Sequence, residues 1–336
     1  MTAATAPQAA SGAAHRIEQF PISFFAVVMG LAGLGIAWHK AESVLGLPIE
    51  VSRYVLPVTI AVFAILGALF LLKATLYPRA VRAELAHPVK LNFFATVSIG
   101  LLLVSIQLGN APAAPWLWGL GAVAHLGVTL YVMTAWIHQT KFEITHLNPA
   151  WFIPVVGNIL VPVAGVRFAH AEVSWFFFSI GLVFWLALFT IVLYRLFFHA
   201  PLPVRLTPTL FILIAPPAVG FVAYQNLAGG LDSFARVLYY TALFLTLLLA
   251  SNAVRFLRTP FYLSAWAYTF PIAAITIATF VMSERTGAPG FEWLAIVLLA
   301  VLTLVVTALA ARTVLAVARR EICVEEEAPA RGPAAG

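Results

Sequence analysis

Apolar positions in this chain fall into ten runs, separated by short polar breaks. The runs are continuous rather than alternating, which marks helices and not strands. Crossing the hydrocarbon core of a bilayer takes about 20 residues of helix, and a backbone in lipid must satisfy its own hydrogen bonds. The pattern therefore predicts membrane spans over 21–39, 55–77, 90–109, 116–138, 149–166, 173–198, 207–226, 234–254, 261–282 and 292–318. The fifth run is the most interrupted, by Pro154, Gly157 and Pro162.

Every second run opens on a proline with aromatic residues close behind. The openings are Pro21 with Phe24 and Phe25, Pro88 with Phe93 and Phe94, Pro149 with Trp151 and Phe152, Pro208 with Phe211, and Pro260 with Phe261 and Tyr262. A near-constant repeat of this kind signals one supersecondary unit used several times. Here the unit is a hairpin of two spans, used five times. Five such hairpins can close into a quasi-fivefold ring, and a ring has an axis, so a central pore is the first functional expectation.

Odd and even runs differ in their helix breakers. The odd ones carry Gly30, Gly100, Pro154, Gly157, Pro216 and Pro271 near mid-membrane, where the even ones hold no internal proline beyond Pro57. Mid-helix proline bends a helix, and freed carbonyls at membrane depth survive only against protein or a water-filled cavity. This predicts kinked odd helices inside, lining the pore, and even helices outside. Phe24, Phe94, Phe152 and Phe211 become candidate pore-lining aromatics.

Composition supports a lipid environment. Of the 336 residues 62% are hydrophobic and 10% charged, against about 25% charged in soluble domains. The mean hydropathy is +0.98. Most of the 19 basic residues fall on the N-terminal side of the spans, which predicts that both termini are cytoplasmic. The net charge of +6 then needs no nucleic acid partner. Residues 1–19 and 321–336 read as disordered cytoplasmic tails flanking a channel domain at 20–320, and no cleaved leader is expected. Cys323 is the only cysteine, so an intrachain disulfide is excluded.

The candidate chemistry lies in charge placement. All 13 acidic residues fall in expected loops, tails or helix edges. Proton-coupled carriers relay through buried carboxylates or histidines, and cation channels ring their filters with carboxylates. What remains is a path of small, hydroxyl and aromatic groups. The odd helices share one end, where their aligned peptides place about half a positive charge each. Lys90, Arg205 and Arg258 stand near that end and are candidate anion-attracting residues. The same residues also serve to set topology. His125 reads as a packed, hydrogen-bonded histidine on an outer helix rather than a haem or metal ligand. No HExxH, P-loop, GxSxG or dinucleotide motif is present, so an enzyme, a metal site and a cofactor are not expected. On residue type alone Phe270, beside Pro271, packs between helices like most of the 26 phenylalanines.

Three segments carry a family resemblance. They are Phe24 to Leu34, His87-Pro88-Val89-Lys90-Leu91-Asn92-Phe93-Phe94, and Trp266-Ala267-Tyr268-Thr269-Phe270-Pro271. Together they resemble the slow-type anion channel family, which includes plant guard-cell channels and bacterial tellurite-resistance and C4-dicarboxylate transporter-like proteins. The resemblance spans about residues 18–320. It implies ten helices in five hairpins around a central pore, a homotrimer with one pore per subunit, and a phenylalanine plug on the ninth helix at Phe270. The bacterial branch, and hence a bacterial inner membrane, fits the short tails. The expected function is a passive channel for small anions such as chloride or nitrate. The alternative is a carrier for dicarboxylate, sulfite or tellurite-related oxyanions.

Overall fold

The computed structural model describes residues 16–323. The tails expected at 1–19 and 321–336 lie for the most part outside these residues. Ten helical segments are long and apolar enough to cross a membrane: α1 (Ile22–Leu45), α2 (Val51–Leu76), α3 (Lys90–Leu108), α4 (Ala114–His138), α5 (Pro149–Phe168), α6 (Ala171–Phe198), α7 (Val204–Ala228), α8 (Ser233–Ala250), α9 (Leu263–Thr286) and α10 (Pro289–Ala318). The chain is an all-α membrane protein. A short amphipathic helix, Pro78–Ala86, joins α2 to α3.

Burial separates the spans as the breakers predict. The odd spans are 67–83% buried over their most apolar windows, the even spans 11–33%. Large apolar side chains such as Trp116, Phe198, Phe244 and Trp293 point outward from the even set. Water would oppose such a surface, and lipid does not. Each odd span packs against the even span that follows it, giving five hairpins. The odd spans also contact one another in order: α1 with α3, α3 with α5, α5 with α7, α7 with α9, and α9 with α1.

Each odd span begins in a 3-10 helix and then relaxes into α. The 3-10 stretches are Ile22–Phe24, Lys90–Phe94, Pro149–Trp151, Val204–Ile214 and Leu263–Tyr268. Proline chemistry explains the later ones. A proline cannot donate to the carbonyl four residues back, and its ring crowds that carbonyl. Pro154 does this to Ala150, Pro162 to Asn158, Pro216 and Pro217 to Ile212 and Leu213, and Pro271 to Ala267. All five upstream carbonyls fall within 3-10 stretches, the one at Asn158 within Gly157–Leu160. The prolines themselves stand in the first turn of the α-helix that follows, where a missing N–H costs nothing.

Three of the odd spans end on a glycine. Gly46, Gly229 and Gly287 cap α1, α7 and α9 with φ of 62°, 79° and 64°, each N–H bonding back to the helix. Any other residue would be strained in this left-handed conformation.

Candidate functional site

Three cavities follow one another along the odd spans. The first, of about 180 Å³, lies at their N-terminal openings and is lined by Ser23, Glu84, His87, Lys90, Phe93, Arg205, Tyr262 and Ser264, among others. The second, of about 50 Å³, lies midway and has an apolar wall that includes Met29, Ile99, Phe152, Gly157, Pro216 and Phe270. The third, of about 270 Å³, occupies the C-terminal half and carries His39, Lys40 and Ser43 on an otherwise apolar wall.

Three side chains line both the second and the third cavity: Leu160 from α5, Val219 from α7 and Phe270 from α9. All three border both cavities where these adjoin. Among the described residues no acidic side chain lines either cavity.

The backbone holds Phe270 in place. Gly30 and Gly33 let α1 approach α9 so closely that a Cβ on Gly30 would stand 2.4 Å from Thr269 Oγ1, and one on Gly33 2.8 Å from Ala273 Cβ. The Trp266 indole is 1% exposed and donates to Thr313 Oγ1 at 2.9 Å, tying α9 to α10.

The other residues singled out by sequence are placed as follows. Phe152, Gly157 and Pro216 line the middle cavity. Phe24 stacks on Phe20, with ring centroids 5.0 Å apart. Phe94 meets Phe70 of α2 edge to face, while its neighbour Phe93 lines the first cavity. Phe211 packs between Phe256 and Tyr268. Gly100 makes room for the Phe63 ring, which a Cβ there would meet at 3.1 Å. The Pro154 carbonyl lies 2.7 Å from the Thr129 hydroxyl. Lys90 and Arg205 share the first cavity, and Arg258 stands exposed in the loop before α9.

His125 is fully buried on α4. Its Nδ1 lies 2.9 Å from Ser98 Oγ, and a Cβ on Gly157 would be 2.7 Å from its Nε2. It therefore packs behind the wall of the middle cavity. Among the described residues no group of three or more His, Cys, Asp or Glu could hold a metal ion.

The partners of some polar groups escaped the sequence reading. Lys73, 1% exposed, pairs with Glu84 at 3.2 Å and donates to the Phe20 carbonyl at 2.8 Å. Burial pushes the Glu84 carboxyl above its ordinary value, and Lys73 and then Lys90 oppose that shift. Arg195, also buried, donates to the Ile144 carbonyl at 3.0 Å. Leu160 and Val219 were not singled out either, because nothing distinguishes them from other aliphatic residues in the spans.

Ten apolar spans with cavities that share aliphatic and aromatic lining along the buried set are the build of a multi-pass membrane protein. The family profile described as voltage-dependent anion channel, SLAC1, matches residues 19–314. The chain belongs to that family. It is 30% identical over 308 residues to the S-type anion channel SLAH3 of Arabidopsis thaliana, covering 88% of this chain and 48% of that protein. It is 27% identical over 297 residues to the uncharacterized transporter MJ0762 of Methanocaldococcus jannaschii, covering 81% of this chain and 87% of that one. It is 26% identical over 263 residues to a tellurite resistance protein TehA homolog of Haemophilus influenzae, covering 76% and 79%. The match thus spans only about half the length of the plant channel.

Proposed function

We infer that the protein is a passive channel for small inorganic anions such as chloride or nitrate. The odd spans would enclose the conduit as a quasi-fivefold ring, with the three cavities as successive parts of one path. Phe270, with Leu160 and Val219, would close it. The observation that carries this reading is their shared position on the walls of both cavities. A constriction of apolar side chains dewets when narrow and blocks ions without any charge barrier. Lys90 and Arg205 at the first cavity would concentrate anions there. Among the described residues no carboxylate lines the walls of the other two.

By the distribution of basic residues the first cavity faces the cytoplasm, with both termini on that side of a bacterial inner membrane. Assembly as a homotrimer belongs to the same reading. Lipid or a neighbouring subunit would cover the apolar outer faces of the even spans.

The test is electrical. Purified protein in planar bilayers should give a current whose reversal potential follows the anion gradient and ignores the cation gradient. The second reading is a carrier for C4-dicarboxylate, sulfite or tellurite-related oxyanions; the archaeal relative is named a transporter and the Haemophilus one a tellurite resistance protein. Uptake against a gradient, saturating with substrate and without ohmic current, would favour it instead.

A further inference from the structure

The third cavity carries a permanent cation in an apolar wall. Lys40 reaches into it from the last turns of α1, alongside Ile36, Ile106, Val163, Val222 and Ile277. Its ammonium is paired with the carboxylate of Glu284, near the end of α9, the span that bears Phe270. Fourteen residues of helix separate Phe270 from Glu284, about 21 Å along the axis. The pair therefore sits at the mouth of this cavity, far from Phe270. His39, also on the wall, has a largely exposed side chain, so this end opens to solvent.

The acidic neighbour on α1 has other partners. Glu42 accepts from Ser52 N at 2.8 Å and from Ser52 Oγ at 2.6 Å, and its nearest cation is His39 at 4.0 Å. Arg285 is exposed beside Glu284 and does not line the cavity. Glu284 is thus the carboxylate that faces Lys40. The two side chains are 26% and 38% exposed. A pair this hydrated contributes little to stability. Another anion can take the place of Glu284 at little cost. A single charge in a narrow apolar funnel also concentrates counter-ions and raises their rate of arrival.

We propose that Lys40 is the anion-recruiting residue of the mouth opposite Lys90 and Arg205, and that Glu284 is its displaceable counter-ion. A small anion entering the third cavity exchanges with the Glu284 carboxylate on Lys40 and then proceeds towards Phe270. The pair is a selectivity device at this mouth rather than a strap between α1 and α9. The proposal rests on the channel reading for its conducting role, but not for the anion site itself.

Two measurements test it on the full chain. In bilayers holding protein in one orientation, K40Q should cut the anion current entering from the third-cavity side by about threefold or more at low ionic strength. Salt should erase most of that difference, because the Debye length shrinks to about 3 Å at 1 M. K40R should keep the wild-type current, and E284Q should raise it. Iodide located by its anomalous scattering in crystals gives a readout that needs no conduction. A site beside the Lys40 ammonium, stronger in E284Q and lost in K40Q, is expected. A folded K40Q with wild-type rectification and salt dependence would overturn the proposal. So would an E284Q that loses current as K40Q does, because a strap would behave in that way. Iodide at Lys40 in a protein that passes no anion current would leave the site standing and remove the channel reading instead.

Discussion

Gly30 and Thr269 face each other across the α1–α9 contact so closely that a methyl group on Gly30 would stand 2.4 Å from the Thr269 hydroxyl oxygen. That hydroxyl is already committed to the Trp266 carbonyl at 2.7 Å, so it has no free direction in which to yield. The residue after Thr269 is Phe270. The glycine thus fixes the register between the first span and the backbone that presents Phe270. Overpacking at such a site costs about 1–3 kcal/mol. We expect G30A to lower the thermal unfolding temperature in detergent and T269A to recover part of the loss. A G30A protein as stable as wild type would show that the contact can relax.

Phe270 shares its position on both cavity walls with Leu160 and Val219. F270A should therefore open the path, and L160A and V219A should do so less, since each leaves the ring in place. Removing ~1.4 kcal/mol of barrier raises a rate about tenfold, and we expect at least that factor in anion current for F270A. Unchanged conductance in a well-folded F270A would take the plug away from this residue.

Glu84 is expected to make the first cavity sensitive to acid. Burial raises its pKa above 4.5, against the opposing pull of Lys73. The folded state therefore takes up this proton before the unfolded state does. As pH falls from neutral through the raised value towards 4.5, folding gains stability from this group. Protonation also removes a negative charge from the wall that holds Lys90 and Arg205. Anion current should rise when the solution on that side is acidified. E84Q should stay near the acid level at every pH, and H87N serves as control for the histidine on the same wall. A pH response that survives in E84Q would assign it elsewhere.

The Lys73–Glu84 pair can also be broken from its other end. K73M would leave a buried carboxylate without its cation, a change that costs about 3–5 kcal/mol. It would also leave the Phe20 carbonyl without its donor. We expect K73M to unfold well below wild type and K73M/E84L to recover much of the loss. Thermal melts of the three proteins decide this, and equal melting of K73M and wild type would mean that water replaces the lysine.

The spans were legible because lipid imposes one strong rule on every residue of a run. The seventh was expected over 207–226 and is Val204–Ala228; the ninth was expected over 261–282 and is Leu263–Thr286. The division into inner and outer sets was legible too, because Pro154, Pro216 and Pro271 stand on odd runs alone. Their local effect was harder to read. A bend at the proline itself was expected, whereas the conformational change lies in the turn before it, at the carbonyls that the proline leaves without a donor.

Polar pairs were the least legible. Lys40 and Glu284 are 244 positions apart, and nothing in a single sequence links them. Glu84 looked like a loop residue until the helix Pro78–Ala86 turned it towards Lys73. Leu160 and Val219 show the same difficulty in apolar form, since only the approach of three spans gives them a role different from that of other aliphatic residues.

The long 3-10 opening of α7 has a mechanical meaning. Val204–Ile214 spends 11 residues in a form that rises about 2.0 Å per residue, where an α-helix rises about 1.5 Å. Rewinding that stretch would shorten it by about 5 Å and turn every side chain on it. This opening therefore reaches about 5 Å further than the same residues would as α-helix, so α7 covers more depth per residue there than the spans that rewind sooner.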